Sequence, residues 1–202
     1  GTGVEPSDVY AAGTTAGSLE MKTASDSINL NAGQSFDVTF SVNAETSGFG
    51  GYLTYDNSVF TSVTVVVDGG TTSGKTDNNG EWKASYNGYT HFLSVDYYKK
   101  DAAGNTTAQI ADPVKVSGSS IATLKFTSAK PVIKTDITFR PSYLRTNGSA
   151  VELKTQKLTL TNSQAKTVTL SLGIVKGNGH ISVPVYFSRN DGFNKIKLGI
   201  SY

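Results

Sequence analysis

From Ser35 to Val42 the chain alternates without a break: Phe36, Val38, Phe40 and Val42 are apolar, while Ser35, Asp37, Thr39 and Ser41 are polar. A period of two is what a strand shows when one face meets a core and the other meets water, and no helix can gather those four apolar residues on one side. The turn Asn31-Ala32-Gly33 leads into this run, and a polar turn through Ser47-Gly48 opens a second one, Phe49-Gly50-Gly51-Tyr52-Leu53-Thr54-Tyr55. Asp56-Asn57-Ser58 then breaks the strand before Val59 and Phe60 return to the core. Two antiparallel strands and a tight corner follow, and their apolar face requires a second layer to cover it.

Further strands are expected on the same grounds. Ser18–Ala24 carries Leu19 and Met21 at apolar positions. Phe60–Asp68 is rich in β-branched residues and nearly continuous in apolarity, the pattern of a strand buried on both sides. Trp82–Tyr86 and Thr90–Tyr98 flank Asn87-Gly88, a strong hairpin signal, and Asn147-Gly148 is a second one. Ser120–Thr127, Asp136–Arg140 and Glu152–Thr161 complete the set, with Pro131 and Pro141 suited to strand ends or edges. Gly69–Gly80 and Lys99–Pro113 are long polar loops, and residues 1–17 read as a linker or N-terminal arm. With no helical period longer than a turn, the fold class is all-β: an antiparallel two-sheet β-sandwich.

Composition narrows the chemistry. The chain of 202 residues has no cysteine, which removes disulfides, thiolate metal sites and cysteine nucleophiles. Its 18 Lys and Arg against 16 Asp and Glu give a net charge of +2 with no basic stripe, so nucleic acid is not expected as a partner. No apolar run reaches the roughly 20 residues of a membrane span, and membrane insertion is not expected. Thr, Ser, Gly and Asn dominate and charge is sparse, a composition suited to an extracellular or cell-surface module, bacterial in style, whose secretion signal would have been removed.

Catalytic constellations are thin. The two histidines are His91, in an expected strand, and His180, at a turn-strand junction, and neither has a neighbouring nucleophile motif. The carboxylates Asp37, Asp56, Asp68, Glu81, Asp96 and Asp112 are isolated in sequence, so no pair stands out for glycoside hydrolysis. No catalytic residue is assigned and no enzyme activity or cofactor is expected. For calcium, the weak candidates are Asp77, within Thr76–Gly80, and Asp101 with Asn105, against the ordinary reading of Asx-rich turns. Asn105 and Asn147 head sequons that matter only in a glycosylating host.

The opening run also carries a resemblance. A glycine-led V-x-F strand, the entry Gly48-Phe49, a strand ending in Tyr55-Asp56 and the return through Val59-Phe60 look like the start of cohesin modules. Cohesins are jelly-roll sandwiches of extracellular, cellulosome-type scaffoldins that bind dockerins, and the similarity spans roughly residues 18–161. It implies a cohesin-like domain over residues 18–163, non-catalytic, with a dockerin-type protein as partner. The alternation places Tyr52 and Thr54 outward in one strand, and Phe92, Ser94, Asp96 and Tyr98 outward in another. Those residues, with Thr138 and Arg140, match the strands that cohesins use for recognition. Gly50 and Gly51 depart from the family, which often carries larger side chains there, and leave open what any dockerin contacts at that point.

Residues 164–202 repeat the opening pattern: Gly179, then Ile181, Val183, Val185 and Phe187 in alternation, then Gly192-Phe193 and a strand ending at Tyr202. They resemble the start of a second cohesin-like module, or else add strands to the first. Strands with one apolar face need a cover, so they are expected to pack on the first domain or on a neighbouring copy, making a homo-oligomer. Two other functions compete with dockerin binding. Trp82, Tyr86 and Tyr89 could stack a polysaccharide, as carbohydrate-binding modules do, and a face of threonine and serine alone would suit a structural spacer in a surface adhesin.

Overall fold

The computed structural model describes residues 17–67, 71–73, 80–117, 120–148, 151–165, 170–172 and 185–187. The chain divides into two compact units, Gly1–Gln164 and Ala165–Tyr202. In chain order the strands of the first are β1 (Gly17–Lys22), β2 (Ser27–Ile28), β3 (Ser35–Val42), β4 (Glu45–Thr54), β5 (Phe60–Val67), β6 (Thr71–Ser73) and β7 (Gly80–Asn87). There follow β8 (Phe92–Lys100), β9 (Thr106–Ile110), β10 (Val114–Ser117), β11 (Ala122–Ser128), β12 (Lys134–Thr146), β13 (Val151–Glu152) and β14 (Gln156–Asn162). The described residues contain no helix.

Two sheets build the first unit. The smaller has the order β13-β1-β3-β11-β5. In the larger, β2-β14-β12-β4 run side by side, and the far edge of β4 is shared by β10 at its start and by β8, which also carries β7 and β9. All pairings are antiparallel except β1 with β13 and β14 with β2, which are parallel. The inward faces meet in a core whose rings cross the gap: Phe40 of β3 lies 5.6 Å from Phe49 of β4 and 4.9 Å from Phe139 of β12. Phe36, Phe60 and Phe126 close one end, each pair 5.4 Å apart. Each fully buried ring or leucine contributes about 1.5–3 kcal/mol, which fixes the register because a one-residue slip would turn all of them outward.

The structure corrects several expectations. β5 is an edge strand rather than one buried on both sides: Val63, Val65 and Val67 pack on the core, but Thr64 points to water and Val66 is 61% exposed. Residues rich in β-branching favour a strand without saying where in the sheet it lies. The hairpin at Asn87-Gly88 is longer than a two-residue turn. The Asn87 carbonyl accepts from His91 N–H and its side chain from Tyr89 and Thr90 N–H, so His91, not Gly88, takes the left-handed conformation at φ 59°. His91 is therefore a turn residue. Asn147-Gly148 does turn, with Gly148 at φ 67°, but it leads from β12 in the larger sheet to β13 in the smaller and makes no hairpin.

β12 is the largest departure. It runs through Pro141 to Thr146, past the expected end at Arg140. Pro141 is opposite Gly51 and Tyr143 opposite Gly50, so Ser142 is an extra residue in a β-bulge. β14 pairs only as far as Phe139, which frees Pro141 of any ladder bond to that side. The strand expected over Glu152–Thr161 is two, β13 and β14, in different sheets.

In the second unit β15 (Leu170–Leu172) pairs antiparallel with β16 (Val185–Phe187), Leu170 opposite Phe187 and Leu172 opposite Val185. Gly179, His180, Ile181, Val183 and the Gly192-Phe193 entry lie outside the described residues, as do residues 1–16.

Candidate functional site

Three rungs cross the outer face of the larger sheet, each made of one residue from β8, one from β4 and one from β12. The register sets Phe92, Tyr52 and Arg140 in one line, Ser94, Gly50 and Tyr143 in the next, and Asp96, Gly48 and Arg145 in the third. Inward partners alternate with them: Leu93, Val95, Leu53, Phe49, Phe139 and Leu144 are core.

The first rung is an exposed ladder of rings and charge. Tyr52, 39% exposed, meets Phe92 edge to face at 4.9 Å and 68°, and the Arg140 guanidinium lies 4.9 Å over the Tyr52 ring. A guanidinium over an aromatic face is attracted by the ring's quadrupole and loses little freedom when a partner arrives. Thr54 and Thr138 pair in the next outward line along the same strands, where Lys157 of β14 stands opposite Thr138. Thr54 is exposed, and Phe92, Ser94, Thr138 and Tyr98 are half-buried. Tyr98 lies apart from the rungs, between Glu81 of β7 and Ile110 of β9.

The other two rungs are closed rather than open. Tyr143 lies across Gly50, where any Cβ would collide with its ring, and donates its hydroxyl to both carboxylate oxygens of Asp96 at 3.0 and 2.9 Å. Arg145 Nε reaches the same carboxylate at 3.3 Å, and its guanidinium carbon lies 4.5 Å from the Tyr143 ring centre. Asp96 is only 6% exposed, so it braces the face and is not offered to a partner. Burial first, then the negative charge of Asp96, pushes the Tyr143 phenol well above its ordinary value. Sequence reasoning missed Tyr143 and Arg145 because β12 was expected to stop before them. The signal that finds them is the glycine at position 50, whose missing side chain makes room for a ring from a neighbouring strand.

The carbohydrate candidates do not share a surface. Trp82 and Tyr86 are on the core side of β7, Trp82 stacked on Tyr97 at 5.0 Å and 23°. The Tyr86 hydroxyl is bonded to Tyr55 Oη at 2.7 Å and His91 Nδ1 at 2.9 Å. Tyr89 alone projects, 96% exposed at the turn. The Asp101 carboxylate accepts from Ala103 and Asn105 N–H within its own turn, Asp77 lies outside the described residues, and no acidic or histidine cluster suited to a metal occurs among the described residues.

Among solved structures similar to this chain are cohesin modules. A type II cohesin domain from the cellulosome of Acetivibrio cellulolyticus aligns at 14% identity, covering 72% of this chain and 95% of that one, with a TM-score of 0.41. A cohesin module from a family 33 glycoside hydrolase of Clostridium perfringens aligns at 9% identity over 74% and 98%, TM-score 0.38. An interface mutant of a type II cohesin–X–dockerin complex from Acetivibrio cellulolyticus gives 12% identity over 72% and 99%, TM-score 0.41. Likeness at this level identifies neither a partner nor a site. No protein-family model and no curated protein sequence matches the chain.

Proposed function

We propose that this chain is a non-catalytic, extracellular protein-binding module whose partner docks on the outer face of the larger sheet, at Tyr52, Phe92 and Arg140, with Thr54 and Thr138 at the rim. The observation that carries the reading is the Phe92–Tyr52–Arg140 ladder: two rings and a guanidinium, mutually supported and solvent-facing, on strands whose other faces are locked in the core. Tyr and Arg on a rigid support are the residue types that dominate binding energy at protein interfaces. The cohesin-like opening of the sequence makes a dockerin-type module of a scaffoldin assembly the first partner to try. A polysaccharide platform gains no support from Trp82 and Tyr86, which face the core, and a pure spacer gains none from a face bearing two rings packed edge to face.

The test is titration calorimetry against a panel of dockerins, beside affinity electrophoresis through starch, cellulose and xylan. Tyr52→Ala or Phe92→Ala should weaken capture by about 1–3 kcal/mol with a nearly native melting temperature. Trp82→Ala should lower the melting temperature instead. Retardation by a glycan with no dockerin bound would overturn the proposal.

A further inference from the structure

We infer that the partner meets this face with a carboxylate set beside an apolar side chain: an acidic, apolar protein segment whose acid pairs with Arg140 while the neighbouring side chain covers Tyr52 and Phe92. The inference rests on the protein-binding reading and names the chemistry of its partner.

Charge on the face is unevenly engaged. Lys83, Arg140, Arg145 and Lys157 occupy outward positions on β7, β12 and β14. Glu45 stands opposite Lys115 at the start of β4, and the outward acids of β7, β8 and β12 are already occupied. Asp96 is buried against Tyr143 and Arg145, Asp136 accepts from Thr159 at 2.7 Å and pairs with Lys157 at 3.5 Å, and Glu81 accepts from Thr106. Arg140 is different: among the described residues no carboxylate or carbonyl accepts from it, and its contact is the Tyr52 ring. The ring contact holds the guanidinium over Tyr52 without using its N–H donors. Such a fork matches the two oxygens of a carboxylate, and a preset fork loses little freedom on pairing. The unsatisfied charge of the face is therefore positive, and a complementary surface is negative.

Ring geometry selects a protein over an acidic glycan. Tyr52 and Phe92 stand at 68° to each other, which makes a step that an aliphatic side chain can fill, whereas a sugar ring stacks on a flat platform. The carboxylate and the step are adjacent because Arg140 and Phe92 flank Tyr52 in the same rung.

The experiment uses the full chain labelled with nitrogen-15 and three probes: an amidated peptide alternating Asp and Leu, the same peptide with Asn for Asp, and polygalacturonate. The acidic peptide should shift the amide signals of Tyr52, Phe92 and Arg140, and the effect should fade as ionic strength rises. Arg140→Gln should abolish it while the rest of the spectrum stays native, and Arg140→Lys should restore only part, since a point charge lacks the fork. Equal shifts from the Asn peptide would overturn the carboxylate and leave the protein-binding face standing. A response to polygalacturonate alone would overturn both, and silence on this face while a dockerin binds elsewhere would remove the face itself. Unaltered binding by Arg140→Gln would likewise overturn the pairing.

Discussion

Tyr143 donates its hydroxyl to both oxygens of Asp96, 3.0 and 2.9 Å away, by lying across the bare backbone of Gly50 between them. A buried carboxylate is tolerated only where donors surround it, and here a phenol and a guanidinium, both from β12 on the far side of β4, supply them. Tyr143→Phe should cost about 1–3 kcal/mol in urea denaturation, because Asp96 stays buried with a donor missing. Changing both Tyr143 to Phe and Asp96 to Ala should cost less than the sum of the single changes. Simple additivity would mean that the pair is not coupled.

Gly50→Ala tests the same relationship from below. Its new methyl would occupy the space of the Tyr143 ring, so the ring must lift and the contacts with Asp96 break. A loss of about 1–3 kcal/mol is expected from the overpacking alone. In a Tyr143→Ala background the substitution should cost much less, since the three atoms nearest the new methyl all belong to the Tyr143 ring and hydroxyl. Two-way thermal melts of the four proteins read this directly.

Alkaline pH should find two reluctant phenols. Burial, with the Tyr55 hydroxyl added, pushes Tyr86 far above its ordinary value, and burial with the Asp96 charge does the same to Tyr143. The folded chain then holds these protons more tightly than the unfolded chain, which releases them near pH 10. Their contribution is intact below about pH 10 and is lost progressively as the pH rises beyond it. Phenolate absorbance should leave Tyr86 and Tyr143 untitrated until the protein unfolds, and Tyr143→Phe should lower the number of late-titrating phenols by one. Complete titration of every tyrosine near pH 10 in a folded chain would refute the burial argument.

Much of the scaffold was legible in the sequence. β3 announced itself because its apolar and polar residues alternate without exception, and the outward positions of Tyr52 and Phe92 follow from the same count. What stayed hidden depends on contacts between distant segments. The composition of Phe60–Val67 cannot say that β5 has a neighbour on one side only. Nothing local reveals that Asn87 caps a longer turn with its own side chain. Asp96 looked like a surface acid because the residues that cover it, Tyr143 and Arg145, lie 47 and 49 positions away.

The edge position of β5 yields a paired test. Val65→Lys forces a charge toward the core on which Val65 packs and should cost about 1–3 kcal/mol. Val66→Lys, at a site 61% exposed, should stay within about 0.5 kcal/mol of the parent. Equal losses in chemical denaturation would restore the doubly buried strand.

The extra residue at Ser142 changes the parity of β12. Before it even-numbered residues, Thr138 and Arg140, look outward; after it odd-numbered ones do, Tyr143 and Arg145, while Leu144 turns in. Ser142 thus acts like a frame-shift written in geometry. Pairing that residue regularly, opposite Gly50, would leave every downstream letter unchanged yet exchange the audience of each, sending Leu144 to water and the Arg145 charge to the core; deleting it would leave both where they are. An alignment with an unbulged strand that fails to gap this position would misassign half of the face, since it would set Ser142 rather than Tyr143 above Gly50.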